Sequence, residues 1–156
     1  MRQLHRSALV AATPERMYEL INDIERYPEF VPGCTAAQVL GRGVDYIEAR
    51  LEVGNGRLRT AFTTRNTLEP HSRITMDLVE GRLKSLHGVW TLTPVRSPES
   101  GEIMGCRVEL TLSFETAGGL AGLALGPLLE RTAASLVDAF AGRARVSPGS
   151  GGVAAS

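Results

Sequence analysis

Gly118-Gly-Leu-Ala-Gly-Leu-Ala-Leu-Gly-Pro-Leu-Leu129, followed by residues 130–145, is the stretch around which the rest of the chain is organised. From Pro127 onward, the spacing of apolar residues predicts one long amphipathic helix. Proline suits a first helical position, where a missing N–H group costs nothing, so we expect Pro127 to begin the helix. Glycine is a poor helix former, and we expect residues 118–126 to be irregular. The apolar stripe of the helix comprises Leu129, Ala133, Leu136, Val137 and Phe140.

Length and composition favour one domain with its own core. The 156 residues suffice for a core that needs no disulfides, and 17 Lys and Arg balance 17 Asp and Glu. With no net charge, no overall field attracts the chain to DNA or anionic lipid. Cys34 and Cys106 lack the CxxC spacing of zinc sites. No secretory signal opens the chain, and its longest apolar run is too short to cross a bilayer, so we expect a soluble, cytoplasmic protein.

Alternating apolar and polar residues predict strands before the long helix. A first strand at 3–11 is followed by a short helix, capped by Thr13 and ending before Tyr27-Pro28. Short turns then separate six further strands, at 35–40, 44–53, 57–68, 74–78, 84–93 and 106–115. Such turns make neighbouring strands antiparallel, and clean alternation leaves one face wet.

These elements predict an α+β fold in which a curved antiparallel sheet of about seven strands wraps around the C-terminal helix. A sheet bent over one helix can leave space that side chains do not fill, and ligands usually bind in such apolar cavities. The last residues, 147–156, are rich in Gly, Ser and Ala, and we expect a disordered tail there.

Two ordered motifs resemble those of a known family. Asp23-Ile-Glu-Arg-Tyr-Pro-Glu-Phe-Val-Pro-Gly-Cys34 looks like D-I-x-x-Y-P-x-F-x-P-x-C, and Leu78-Val-Glu-Gly-Arg-Leu-Lys-Ser-Leu-His-Gly-Val-Trp90 is similar to L-x-x-G-P-F-x-x-L-x-G-x-W. Both motifs belong to the coenzyme-Q-binding START-like family, whose members are also described as ribosome association toxins. The family lies within the polyketide cyclase/dehydrase and lipid transport superfamily. The resemblance spans about residues 6–145 and implies a helix-grip, START-like lipid-binding domain at residues 1–146.

The chain departs from the family pattern at two places. Arg82-Leu83 stands where the family usually has Pro-Phe, and Gly33 stands where it often has Trp. Both departures remove bulky groups from the expected mouth of the cavity, which implies a different choice of ligand.

The resemblance implies two functions. In the first, the chain binds ubiquinone or a related polyprenyl lipid in its cavity and supports delivery to the respiratory chain, without catalysis or a required cofactor, and with transient contact at the inner membrane. In the second, it is a toxin that binds the large ribosomal subunit and blocks subunit association. The candidate cavity-lining residues are Phe30, Leu51, Phe62, Met76, Leu78, Trp90, Leu112, Leu129, Ala133, Leu136, Val137 and Phe140.

Several further residues have two interpretations each. Thr60, Thr64 and Asn66 share a face with Phe62, where they would either hydrogen-bond a ligand oxygen or lie at a wet strand end. Phe30 and Val31, between two prolines, would either form a lid over the cavity or touch a membrane during quinone exchange, or they would fold down onto the end of the sheet. The leucines of 120–128 would likewise form a membrane-contacting gate or pack against the first helix.

The sequence offers few candidate residues for RNA contact, catalysis or metal binding. For the ribosome hypothesis, Arg57, Arg59 and Arg65 are the candidate RNA-contacting patch, since phosphate neutralisation supplies most affinity for nucleic acid. His87 is predicted on a solvent-facing strand surface. No nucleophile elbow, phosphate-binding loop or metal-ligand spacing occurs, so we predict neither catalytic residues nor metal ligands.

Overall fold

A curved sheet contains more than half of the residues that the structure describes. The computed structural model describes residues 1–146, so the predicted tail at 147–156 lies outside the described residues. The seven strands are β1 (Arg2–Val10), β2 (Cys34–Arg42), β3 (Tyr46–Asn55), β4 (Leu58–Glu69), β5 (Arg73–Gly81), β6 (Leu83–Arg96) and β7 (Ile103–Thr116). Their order in the sheet is β1-β7-β6-β5-β4-β3-β2, with every neighbouring pair antiparallel. The predicted α+β, helix-grip architecture is confirmed.

The alternation in each strand produces one apolar face, as predicted. In β7 the alternate residues from Cys106 to Phe114 are buried, and β3 buries Ile47, Ala49 and Val53 on the same face. The intervening residues are exposed or half-buried, because successive side chains of a strand point to opposite faces. The apolar face lies against the two helices and forms the core.

A short helical region follows β1. The helix α1 (Pro14–Asn22) is capped by the Thr13 hydroxyl, which accepts a hydrogen bond from the Arg16 backbone N–H at 3.1 Å. The α-helix ends earlier than the sequence predicted, and the chain continues as a 3₁₀ helix (Ile24–Glu29). The Tyr27 hydroxyl donates to the Ile21 carbonyl, which ties the 3₁₀ helix to α1.

The helix α2 (Leu120–Val146) begins seven residues before the predicted start, so the irregular segment predicted at 118–126 is wrong over most of its length. Its glycines serve close packing. A Cβ at Gly126 would lie 2.7 Å from the guanidinium of Arg2, which pairs with Glu130. Pro127 lies inside the helix and not at its start. Because Pro127 is exposed, the hydrogen bond it removes is lost on the solvent side, where water can replace it.

Phe140 joins α2 to the rest of the core. Its side chain is 0% exposed, and its ring meets Tyr27, Phe30 and Trp90 edge-on at centroid distances of 5.2, 5.2 and 5.3 Å. Edge-to-face pairs add stability beyond the area they bury. One residue of α2 therefore holds the 3₁₀ region and the middle of β6 together.

We expect Phe140→Ala to lower the free energy of unfolding by about 3–5 kcal/mol, since it removes a fully buried ring and leaves a cavity. The matched control is Leu123→Ala on the same helix, where the wild-type side chain is 73% exposed and the expected change is within about 0.5 kcal/mol. Urea denaturation followed by circular dichroism measures both. Equal effects of the two substitutions would contradict this account of the core.

Candidate functional site

A cavity of about 90 Å³ lies between α2 and the concave face of the sheet. Strands β3 to β7 contribute one wall, α2 the opposite wall, and the segment from the 3₁₀ helix to the start of β2 closes one side. The residues that line it are Ile24, Tyr27, Val31, Cys34, Ala49, Leu51, Val53, Phe62, Thr64, Asn66, Met76, Leu86, Trp90, Leu112, Phe114, Leu129, Thr132, Ala133, Leu136 and Phe140.

Most of the predicted lining residues are brought together here. Nine of the twelve border the cavity: Leu51, Phe62, Met76, Trp90, Leu112, Leu129, Ala133, Leu136 and Phe140. The other three do not border it. Phe30 packs against the Phe140 ring beneath the Arg143 guanidinium, which lies 4.9 Å from its centroid. Val137 is buried in the core away from the cavity, and Leu78 is half-buried next to Val79, the residue of β5 that the pairing with β4 skips.

The segment from Ile24 to Cys34 supplies lining residues that the sequence prediction missed. Ile24, Tyr27, Val31 and Cys34 border the cavity, and all four are buried. Of the two interpretations of this loop, folding down onto the sheet is the one observed, because Val31 is only 4% exposed. The pair of prolines signalled a stiff loop, but nothing in its spacing indicated which way it faces.

The structure explains why glycine occupies position 33, one of the two departures from the family pattern. Its φ of +85° favours glycine, and a Cβ there would lie 2.6 Å from the Thr132 hydroxyl oxygen of α2. The loop can therefore approach α2 closely. At the second departure, Leu83 is buried in the core and Arg82 is exposed.

Two polar side chains of β4 belong to the mostly apolar wall, to which α2 adds the polar Thr132. Thr64 and Asn66 are 4% and 6% exposed, and the Thr64 hydroxyl donates to Asn66 Oδ1 at 2.9 Å. Asn66 pairs across the sheet with Ile47 and Met76. The third predicted polar residue, Thr60, is buried outside the lining, and its hydroxyl has no hydrogen-bond partner among residues 1–146.

The wall of the cavity is uncharged near neutral pH. Among its residues only the weak acids Tyr27 and Cys34 titrate, and the described lining contains no Asp, Glu, His, Lys or Arg. Burial raises the pKa of the Tyr27 hydroxyl well above its ordinary value. Burial also raises the pKa of the Cys34 thiol to about 11, and a hydrogen bond with the Ala36 backbone offsets part of this increase. Both groups are therefore protonated and neutral.

The histidines lie away from the cavity. His87 is exposed, as predicted, and its Nδ1 is 2.7 Å from Asp77 Oδ1 on the neighbouring strand. His5 contacts Glu109 at 3.3 Å, and His71 packs edge-on against Tyr18. Within residues 1–146, no three His, Cys, Asp or Glu side chains form a group that could hold a metal ion.

The three arginines of the predicted patch do not act as one group. Arg65 lies 3.6 Å from Glu48 and stacks on the Tyr46 ring at 3.9 Å, so its charge is already engaged. Arg57 and Arg59 are exposed at the β3–β4 turn and form no ion pair with another described residue. Arg82 lies at the same end of the sheet. The residue before it, Gly81, pairs with Phe62, which is only three residues along β4 from Arg59. We call Arg57, Arg59 and Arg82 the arginine edge.

The first turns of α2 are partly uncovered. Leu125 and Leu128 are buried, whereas Leu120 and Leu123 are 85% and 73% exposed. Two leucines of this segment therefore belong to the core and two are exposed, and contact of the exposed pair with a membrane stays a prediction. In the part of the chain that the structure describes, no helix has the length and apolar composition needed to cross a bilayer.

Fold and cavity together define a helix-grip protein with an apolar internal site. The family model for polyketide cyclase / dehydrase and lipid transport matches residues 10–141. The chain therefore belongs to this family.

The chain is more similar to ribosome association toxins than to coenzyme Q-binding proteins. It is 42% identical to the ribosome association toxin RatA of Pseudomonas aeruginosa, over 91% of this chain and 94% of the relative. It is 40% identical to RatA of Escherichia coli, over 93% and 88%. The mitochondrial coenzyme Q-binding protein COQ10 of Drosophila melanogaster is more distant, at 32% over 69% of this chain and 43% of that protein.

Solved structures agree on the fold. TTHA0849 of Thermus thermophilus has a TM-score of 0.78 at 20% identity, with 94% of this chain and 99% of that chain covered. The Zhui aromatase/cyclase of a Streptomyces species has a TM-score of 0.76 at 22% identity, with coverages of 97% and 99%. At these identities, the likeness describes the architecture alone.

The raised pKa of Cys34 predicts slow alkylation with an unusual pH dependence. The thiolate is the reactive form, so at pH 8 we expect iodoacetamide to modify Cys34 about two orders of magnitude more slowly than an unfolded-chain thiol with a pKa near 8.5. The rate should keep rising through pH 10–11. Peptide mass spectrometry identifies the alkylated cysteine, and the Cys34→Ser variant shows the modification of Cys106 alone. A rate that levels off above pH 9 would be inconsistent with the buried thiol.

Proposed function

We propose that this protein associates with the large ribosomal subunit and hinders the joining of the subunits, without catalysing a reaction. The observation that carries the proposal is the 42% identity, over nearly the full length of both chains, to a protein named for ribosome association. The more distant quinone-binding relative matches less than half of its own length. The relatives thus favour the second of the two functions implied by the sequence motifs.

The arginine edge supports this proposal and suggests where the contact lies. Arg57, Arg59 and Arg82 are exposed at one end of the sheet and have no carboxylate partner among residues 1–146. Free guanidinium groups bind phosphate in bidentate fashion, and the release of counterions from the RNA supplies affinity even when the whole protein has no net charge.

The absence of catalysis is supported by the chemistry of the cavity. No Asp, Glu, His, Lys or Arg belongs to its described lining, and the two titratable groups there have raised pKa values. General acid–base chemistry needs a group that titrates near the working pH. A cyclase in this site would lack one.

The experiment is sedimentation of the purified protein with isolated large and small ribosomal subunits. We expect co-sedimentation with large subunits only, and affinity that falls steeply as salt rises. The double variant Arg57→Gln/Arg59→Gln should bind about tenfold more weakly and reduce the slope of log K against log salt by about two, because two phosphate contacts are lost.

The matched control is Arg73→Gln/Arg107→Gln, which removes the same charge from exposed positions at the opposite end of the sheet. It should behave like the wild type. Absence of binding to large subunits at low salt would overturn the proposed function, and equal loss in both double variants would instead place the contact elsewhere.

A second candidate function, the binding of an apolar ligand, is favoured by the cavity itself. At about 90 Å³ it is smaller than the cavity of about 150 Å³ that holds benzene in another protein, and far below the ~300–1,000 Å³ of typical ligand pockets. A small apolar group is therefore the occupant that this conformation can accept. A polyprenyl quinone would require α2 and the 24–34 segment to separate.

Solvent extraction of the purified protein, followed by mass spectrometry, tests this second function. We expect a near-stoichiometric uncharged molecule from the wild type and none from Ala133→Leu, whose added carbons enter the cavity. Ala133 is 6% exposed, and filling existing space should change the unfolding free energy by less than about 1.5 kcal/mol. Extracts without such a molecule, or equal amounts from both proteins, would count against a ligand at this place.

A further inference from the structure

The polar pair in the cavity wall has an unused hydrogen-bonding capacity. The one side-chain hydrogen bond of Asn66 within the described residues is at Oδ1, which accepts the Thr64 hydroxyl at 2.9 Å. The amide nitrogen of Asn66 carries two further donors. The side chain is 6% exposed and borders the cavity, so these donors have the cavity as their surroundings.

Among the other polar side chains of the wall, those of Tyr27 and Cys34 are already engaged, and Thr132 lies on the opposite wall, in α2. The Tyr27 hydroxyl donates to the Ile21 carbonyl, and the Cys34 thiol is directed to the Ala36 carbonyl at 3.6 Å. Thr60 pairs with Val53 across the sheet but does not border the cavity. Asn66 is thus the lining residue of the sheet that still has strong donors to offer.

Leaving such donors unpaired in an apolar site is costly. A buried amide without a partner loses its hydration and gains nothing in return, which favours any occupant that brings an acceptor. No charged side chain belongs to the described lining, so a charged occupant would be desolvated without compensation. These two constraints specify the chemistry of the ligand.

We infer that the cavity binds an uncharged, mostly apolar molecule with a carbonyl-type oxygen, and that the Asn66 amide donates to this oxygen while Thr64 fixes the orientation of the amide. The inference rests on the second proposed function, ligand binding in the cavity. It adds the chemical class of the ligand and the residue that recognises it. A quinone, a cyclic ketone and an ester all present this oxygen.

Two small probes of matched shape test the inference: cyclopentanone, and methylenecyclopentane, in which a CH₂ group replaces the oxygen. Dissociation constants come from chemical-shift titrations of the ¹⁵N-labelled full chain. Asn66→Leu should shift the ratio of the two constants about two- to tenfold in favour of the alkene, because one hydrogen bond is lost. Comparing ratios cancels the different hydration of the two probes.

Thr60→Val is the matched control, since it removes a buried hydroxyl from the same face of the same strand outside the lining. It should leave the ratio unchanged. In the wild type, the side-chain amide signals of Asn66 should move with the ketone and not with the alkene, a result that does not depend on the variant folding. If these signals do not respond while the ketone binds, or if Asn66→Leu leaves the ratio unchanged, the role of Asn66 is overturned. If neither probe perturbs the cavity signals at saturation, ligand binding in the cavity fails as well.

Discussion

The edge-on packing of Phe140 against Tyr27, Phe30 and Trp90 is the contact on which the rest of the structure depends. It fixes α2 against the middle of the sheet and holds the 3₁₀ region down on the same helix. Because four large rings meet at this point, the helix cannot approach the sheet equally closely along its whole length. The space that remains next to this cluster is the cavity, bordered by small Ala133 on one side and by Thr64 and Asn66 on the other.

The spacing of apolar residues, every two positions in strands and every 3.6 in helices, was sufficient to predict the sheet, its antiparallel order and the inward stripe of α2. They failed where close approach, and not periodicity, decides the conformation. Gly122 and Gly126 suggested an irregular segment. In the helix, a Cβ at Gly122 would collide with the Ala117 carbonyl, and a Cβ at Gly126 would collide with the Arg2 side chain. For the cavity, strand positions were predicted well because alternation fixes the face, whereas Val31 and Cys34 were missed because loop direction has no period. Arg65 was grouped with Arg57 and Arg59 from spacing alone, but cross-strand pairing with Glu48 engages it.

The domain has two separate surfaces that suit different partners. The inner surface is uncharged, apolar and equipped with one amide donor, which suits a small neutral ligand. The arginine edge lies outside the sheet at the β3–β4 and β5–β6 turns, where a large anionic partner can reach it without entering the cavity. The two surfaces share β4, whose outward Arg59 and inward Thr64 and Asn66 belong to the same strand.

The central claim is that the ribosome contacts the arginine edge and not the cavity. Hydrogen–deuterium exchange of the protein alone and mixed with purified large ribosomal subunits tests it directly. The account predicts slower exchange for backbone amides at residues 55–59 and 81–84, with the inner part of α2 around residues 133–140 unchanged. Protection concentrated on residues 133–140 or on the 24–34 segment, with none at the two turns, would contradict it.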